Sequence, residues 1–182
     1  TYSFFKEKNI PTPRTSLKQE YPLIKPKRGR GGKGVEIINK SVSMEGKISQ
    51  EIAKGDEYTI DVFCDVHSKP IYIVPRKRIN VREGKSIEGV VEKNDLIESW
   101  VNTICKNIDF LGPINIQCFL EREKILFTEV NPRLGGGTAL GFAATENWIE
   151  LIESNLLKKK TINPVPIKYG MKMKRFYAEV FV

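Results

Sequence analysis

The tightest constraint on the fold is local. Residues 114–120 and 125–131 form two runs in which apolar and polar side chains alternate, separated only by Glu121-Arg-Glu-Lys124. A connection this short joins antiparallel strands, so the chain must build a sheet around a hairpin. A period of two then puts Asn115 and Gln117 on one face of the first strand, and Glu129 and Asn131 on one face of the second. Amide and carboxylate oxygens at this density are either a solvated sheet face or a seat for a hard cation that takes oxygen ligands. For both strands to contribute to one face, Gln117 must lie across from Glu129. A two-residue loop at Arg122-Glu123 would instead pair it with Thr128. The spacing therefore predicts a three- or five-residue turn, or a bulge, around residues 122–124.

Composition narrows the function classes. Of 182 residues, 40% are apolar and 29% charged, enough for a core of one domain or two small lobes. No apolar run approaches the roughly 20 residues of a membrane span. Cys64, Cys105 and Cys118 lie in apolar stretches with no paired spacing, which reads as buried reduced thiols in a cytoplasmic protein. The net charge of +8 is spread among acids along the chain. Only Lys25, Lys27, Arg28, Arg30 and Lys33 concentrate it, and they alternate with glycine where a nucleic-acid surface would carry stacking aromatics. That pattern suits a compact phosphate and excludes neither a ligand loop nor a plain hairpin tip. It matches neither the P-loop nor the dinucleotide glycine spacing.

The remaining pattern is α+β. A helix end is expected before Pro11-Thr-Pro13, then strand, glycine stretch and strand over 21–38, and further β segments at 49–53, 57–66 and 71–78. Arg76 and Arg78 share a face of the last. Leu96, Ile97, Trp100, Val101, Ile104, Cys105 and Ile108 mark an amphipathic helix capped by Asn94 or Asp95. A glycine stretch at 133–137, a second helix near 145–157 and a closing strand over 174–182 complete a mainly antiparallel sheet with helices on one face.

Five separated segments, residues 10–15, 22–26 with their glycine stretch, 50–58, 115–117 and 129–133, together resemble the ATP-grasp superfamily, and within it the carbamoyl-phosphate-synthetase-like carboxylate ligases. The resemblance implies two lobes with mainly antiparallel sheets and a nucleotide cleft between them. Residues 1–11 would end a helix from an upstream domain missing from this chain, with 12–56 the small lobe and 57–182 the large one. Lys25 would reach the ATP phosphates under a loop containing Gly31, Gly32 and Gly34. Glu51 and Ile52 would meet adenine, and Glu57 the ribose hydroxyls. Gln117, Glu129 and Asn131 would hold Mg²⁺, Gln117 also touching the nucleotide, while Arg133 would act with Lys25 on the transferred phosphoryl group. Arg76 and Arg78 would bind phosphate or a substrate carboxylate, and Gly136 would leave room for the acyl acceptor. The implied activity joins a carboxylate to an amine through an acyl phosphate. The alternative is a nucleotide-binding or regulatory module without turnover. Small-molecule carboxylate and amine substrates and the upstream domain are the expected partners, with a homodimer as a further option and neither nucleic acid nor membrane.

Overall fold

The structure is a computed structural model that describes residues 1–182 apart from Arg30, Gly31, Glu83, Tyr177 and Val182. The expected loop residue Gly31 therefore lies outside the described residues. Two antiparallel sheets carry the architecture. The smaller contains β1 (Thr15–Ser16), β2 (Leu23–Pro26), β3 (Glu36–Ile37) and β4 (Lys47–Gln50) in the order β1-β4-β2-β3. The larger contains β5 (Asp56–Cys64), β6 (Pro70–Arg82), β7 (Lys85–Val91), β8 (Gly112–Glu121), β9 (Lys124–Asn131) and β10 (Lys172–Lys174), in the order β10-β7-β6-β5-β8-β9. Gly55 joins them at φ +95, where a Cβ would lie 2.2 Å from the Leu120 carbonyl oxygen. Only glycine satisfies both the backbone angle and that approach.

The large sheet is covered on both faces, which corrects the expectation of helices on one face. On one side, Tyr58, Ile60, Val62 and Cys64 of β5 pack with Ile114, Ile116 and Cys118 of β8 against α2 (Asp95–Lys106) and Phe5 of α1 (Tyr2–Glu7). Asn94 caps α2 by accepting from the Ile97 amide at 3.0 Å. On the other side, Phe63, Tyr72 and Val74 meet Leu140 of α3 (Thr138–Ala144) and Trp148 of α4 (Trp148–Leu151). The second helix is thus not continuous over 145–157: α3 precedes it, and α4 runs into a π-helical turn at Ile152–Leu157. Asn147, which caps α4 by accepting from Ile149, separates the two helices. The closing strand is short and ends at Lys174. No helix among the described residues is long and apolar enough to cross a membrane.

The hairpin register bears out the pairing and relocates its cause. Gln117 lies across from Glu129 and Asn115 across from Asn131. The tip, however, is a tight two-residue turn at Arg122-Glu123 between the paired Glu121 and Lys124, with Arg122 at φ 55. The odd residue is Thr128: the register shifts between Gln117 and Cys118, and the Thr128 hydroxyl donates to the Gln117 carbonyl at 3.3 Å. A bulge five residues from the tip does what a longer turn was expected to do.

Candidate functional site

Cross-strand pairing arranges the face opposite α2 as successive rows of side chains. The first row runs Glu57, Phe119, Leu126 across β5, β8 and β9, with Arg78 of β6 reaching Glu57 by an ion pair. The second runs Arg76, Thr59, Gln117, Glu129, and the third Val74, Asp61, Asn115, Asn131. At a rise of about 3.3–3.4 Å per residue, rows are spaced about 7 Å apart, so the three rows span about 13 Å.

At the first row, Leu126 lines a cavity of about 180 Å³ with Ile52 and the charged Glu51, Lys54, Glu121 and Lys124. Glu51 and Ile52 follow β4 directly, so the connection between the sheets forms one wall. Ile52 is 37% exposed and free to meet a ligand. Glu51 accepts from the Arg14 guanidinium at 3.0 Å, and that hydrogen bond holds its carboxyl below the usual range. Glu57, in the row beside the cavity, is paired with Arg78.

In the middle, Gln117 and Glu129 face each other, and Asn131 donates from Nδ2 to Glu129. From the small sheet, Lys25 donates to Gln50 Oε1 at 2.8 Å, while the Gln50 amide donates to Thr15 Oγ1 at 2.8 Å. Burial pushes the Lys25 amine down from its ordinary pKa, and the carboxylate of Glu129 opposes that shift. The carboxylate on β9 of the large sheet is therefore near enough to act on the lysine of the small one. Among the described residues no three His, Cys, Asp or Glu side chains cluster as a metal cage. The donor set here is one carboxylate and two amides, all hard oxygen donors. It fits Mg²⁺ when phosphate oxygens and water supply the rest of the shell.

The polar end contains a group that sequence reasoning missed. Asp61 is 1% exposed and accepts from Arg76 Nε at 2.6 Å, Arg76 Nη2 at 3.0 Å, Asn115 Nδ2 at 2.8 Å and Thr138 Oγ1 at 3.1 Å. Its signal was available, since the alternation that turns Ile60 and Val62 to one core leaves an acid on the opposite face of a central strand. Arg76, expected to bind phosphate or substrate carboxylate, is 2% exposed and committed to Asp61. Thr138 also accepts from the Gly135 amide at 2.8 Å, so the cluster ties down the glycine loop. A Cβ on Gly135 would come within 2.5 Å of the Asn115 side chain, and one on Gly137 within 2.6 Å of Arg76. Gly136 between them has open space around it. Arg133 is exposed at the start of this loop, donating to the Leu134 carbonyl at 3.0 Å. Gly32 and Gly34 lie between β2 and β3 at φ +71 and +72, beyond Lys25.

Known proteins share this fold. A family model described as ATP-grasp in the biosynthetic pathway with Ter operon matches residues 44–178. The carbamoyl phosphate synthase large chain of Lachnoclostridium phytofermentans is 28% identical over 137 residues, covering 62% of this chain and 13% of that one. An L-amino acid ligase from Bacillus licheniformis superimposes with a TM-score of 0.67 at 17% identity, covering 90% of this chain and 46% of that one. The biotin carboxylase domain of a Hydrogenobacter thermophilus 2-oxoglutarate carboxylase, solved with MgADP, ADP and bicarbonate, gives 0.71 at 14% identity, covering 93% and 47%. The chain thus spans about half the length of these solved relatives and a small part of the curated one.

Proposed function

The chain belongs to the ATP-grasp family, and we propose from that premise that it is the nucleotide-binding part of an ATP- and Mg²⁺-dependent ligase that joins a carboxylate to an amine. The observation that carries the reading is the order of features along this face. A cavity at the inter-sheet connection with Ile52 and Leu126 among charged neighbours, an oxygen-rich pair in the middle and a glycine loop with an arginine at the far end follow the length of ATP laid along β8 and β9. Adenine would enter between Ile52 and Leu126, and the ribose would lie at Glu57. The triphosphate would run past Lys25 toward Arg133, covered by the loop of Gly32 and Gly34.

In the first step, a substrate carboxylate oxygen attacks the terminal phosphorus and ADP leaves. In the second, an amine attacks the acyl carbon and phosphate leaves. Neither step asks the protein for a nucleophile. Lys25 and Arg133 bring positive charge to the transferring group, and the cleft supplies alignment. Mg²⁺ held by Gln117, Glu129 and Asn131 would neutralise phosphate charge and orient its oxygens. Gly136, with its open surroundings, would face the acyl acceptor. Residues 12–56 and 57–182 act as the two lobes in this proposal, and a neighbouring domain completes the acceptor pocket. The three buried free thiols suit a reducing, cytoplasmic compartment.

The test is ADP release by the full-length protein across panels of carboxylates and amines. The proposal expects release only with Mg²⁺ and a carboxylate together, abolished by Glu129→Gln with unchanged thermal stability. ADP binding without carboxylate-dependent release from any panel member would support the module without turnover instead.

A further inference from the structure

Lys25 is held by an amide and not by an acid. Among the described residues its amine forms no ion pair, and it donates instead to Gln50 Oε1 at 2.8 Å. Gln50 is 7% exposed, and hydrogen-bond chemistry fixes which way its amide faces. The Thr15 hydroxyl has one proton and donates it to the Pro13 carbonyl at 3.0 Å, so toward Gln50 it only accepts. It takes the Gln50 Nε2 donor at 2.8 Å. The amide therefore turns its oxygen to Lys25, whose ammonium only donates. Strand pairing brings the three together. Gln50 of β4 lies across from Thr15 of β1 and from Leu23 of β2, and Lys25 follows Leu23 by two residues on the same face.

The neutrality of this partner is the informative part. A carboxylate at position 50 would hold the lysine as firmly and cancel its charge. An amide oxygen orders the ammonium, leaves the charge whole and occupies one of its three protons. That charge is felt at the opposite sheet, where Glu129 acts on it. A loose lysine gives up its rotamer freedom when an anion arrives, whereas an anchored one has given it up beforehand. The relay from Pro13 through Thr15 and Gln50 is thus a device for presenting a full, ordered positive charge to an anion between the sheets.

We propose that Gln50, locked by Thr15, is the positioning residue for Lys25 and sets how strongly the cleft holds the phosphates of a bound nucleotide. The inference rests on the nucleotide reading of the cleft. The test is a double-mutant cycle, with ADP and Mg²⁺ titrated calorimetrically into the full chain as wild type, Gln50→Met, Lys25→Met and the double variant. With Lys25 present, Gln50→Met is expected to weaken ADP about tenfold, the worth of one charge-assisted hydrogen bond. In the Lys25→Met background the same change is expected to cost less than about twofold. A role in folding alone would lower affinity equally in both backgrounds. That result, or undiminished affinity in Gln50→Met, would overturn the role of Gln50. Thr15→Val keeps the shape of Thr15 and frees the amide to turn over. It replaces Gln50→Met in the cycle if that variant does not fold, with the loss again confined to protein that retains Lys25. A wild type that does not bind ADP would overturn the nucleotide reading as well.

Discussion

Two arginine–carboxylate pairs sit on the same face of β5 and β6, and they differ in every respect that matters. Asp61 and Arg76 are 1% and 2% exposed, and the carboxylate receives donors from β6, from β8 and from the first residue of α3. Glu57 and Arg78 lie nearer the cavity, with the Glu57 side chain 25% exposed and one guanidinium nitrogen idle. The first pair is a closed junction that fixes the glycine loop against the sheet. The second is only partly enclosed, beside the surface where the proposal puts the nucleotide. The same two side-chain chemistries thus make structure in the first pair and, in that proposal, recognition in the second.

The sharpest way to break the comparison is Asp61→Asn. It keeps shape while leaving Arg76 charged and uncompensated in the core, and should destabilise the protein by about 3–5 kcal/mol in urea unfolding. A loss below about 1 kcal/mol would mean that the junction is not charged. Next in size is the loop it anchors. Gly137→Ala, whose methyl would meet Arg76, should destabilise by about 1–3 kcal/mol, whereas Gly136→Ala should stay within about 0.5 kcal/mol. Equal melting temperatures for the two variants would dissolve the distinction between anchored and presented glycines. The open pair should respond in the reverse manner. Glu57→Gln is expected to change stability by less than about 1 kcal/mol yet lower ADP affinity about tenfold, read by denaturation and calorimetry on one sample.

The smallest effect belongs to the exposed pair of Arg14 and Glu51 at the cavity wall. Its hydrogen bond lowers the Glu51 pKa below the ordinary 4.5, so its contribution is fully present above that value and fades as pH falls through the lowered one. Urea midpoints between about pH 6 and pH 3 should therefore fall slightly more steeply for wild type than for Arg14→Ala. Parallel curves would show that the pair adds nothing to folding.

How far the sequence reveals such pairs depends on how local their cause is. Alternation over residues 114–131 suffices to set Gln117 opposite Glu129, because a buried face tolerates no slip in register. Alternation does not say where the extra residue goes, since both a longer tip and the bulge at Thr128 satisfy it. The β6–β7 hairpin escapes notice for another reason. Past Lys77, β6 pairs only with β7, and that ribbon, with Ile79 54% and Val81 43% exposed, has no buried face to impose a period. The Asp61 junction needs β6, β8 and α3 brought together, and no window of sequence contains them all. α3 follows the glycine loop because Thr138 and Leu140 are held by that junction and by the core of Trp148, not because of strong local helix signals.

The bulge at Thr128 also separates two jobs that a regular hairpin would bind together. Register is settled between Gln117 and Glu129, several residues below the tip, so this pair does not inherit its alignment from the turn at Arg122-Glu123. Residues in that turn are exposed and free to be exchanged or lengthened two at a time while the chemistry beneath them stays in phase. Thr128 is the residue that the bulge absorbs. Drawn into the ladder, it would take the place across from Gln117 and Glu129 would point away from the cleft; deleted, it would leave a regular hairpin in which Glu129 follows Phe127 directly and still lies across from Gln117. The alignment of the carboxylate thus depends on keeping this one residue out of the ladder, and not on having it in the chain.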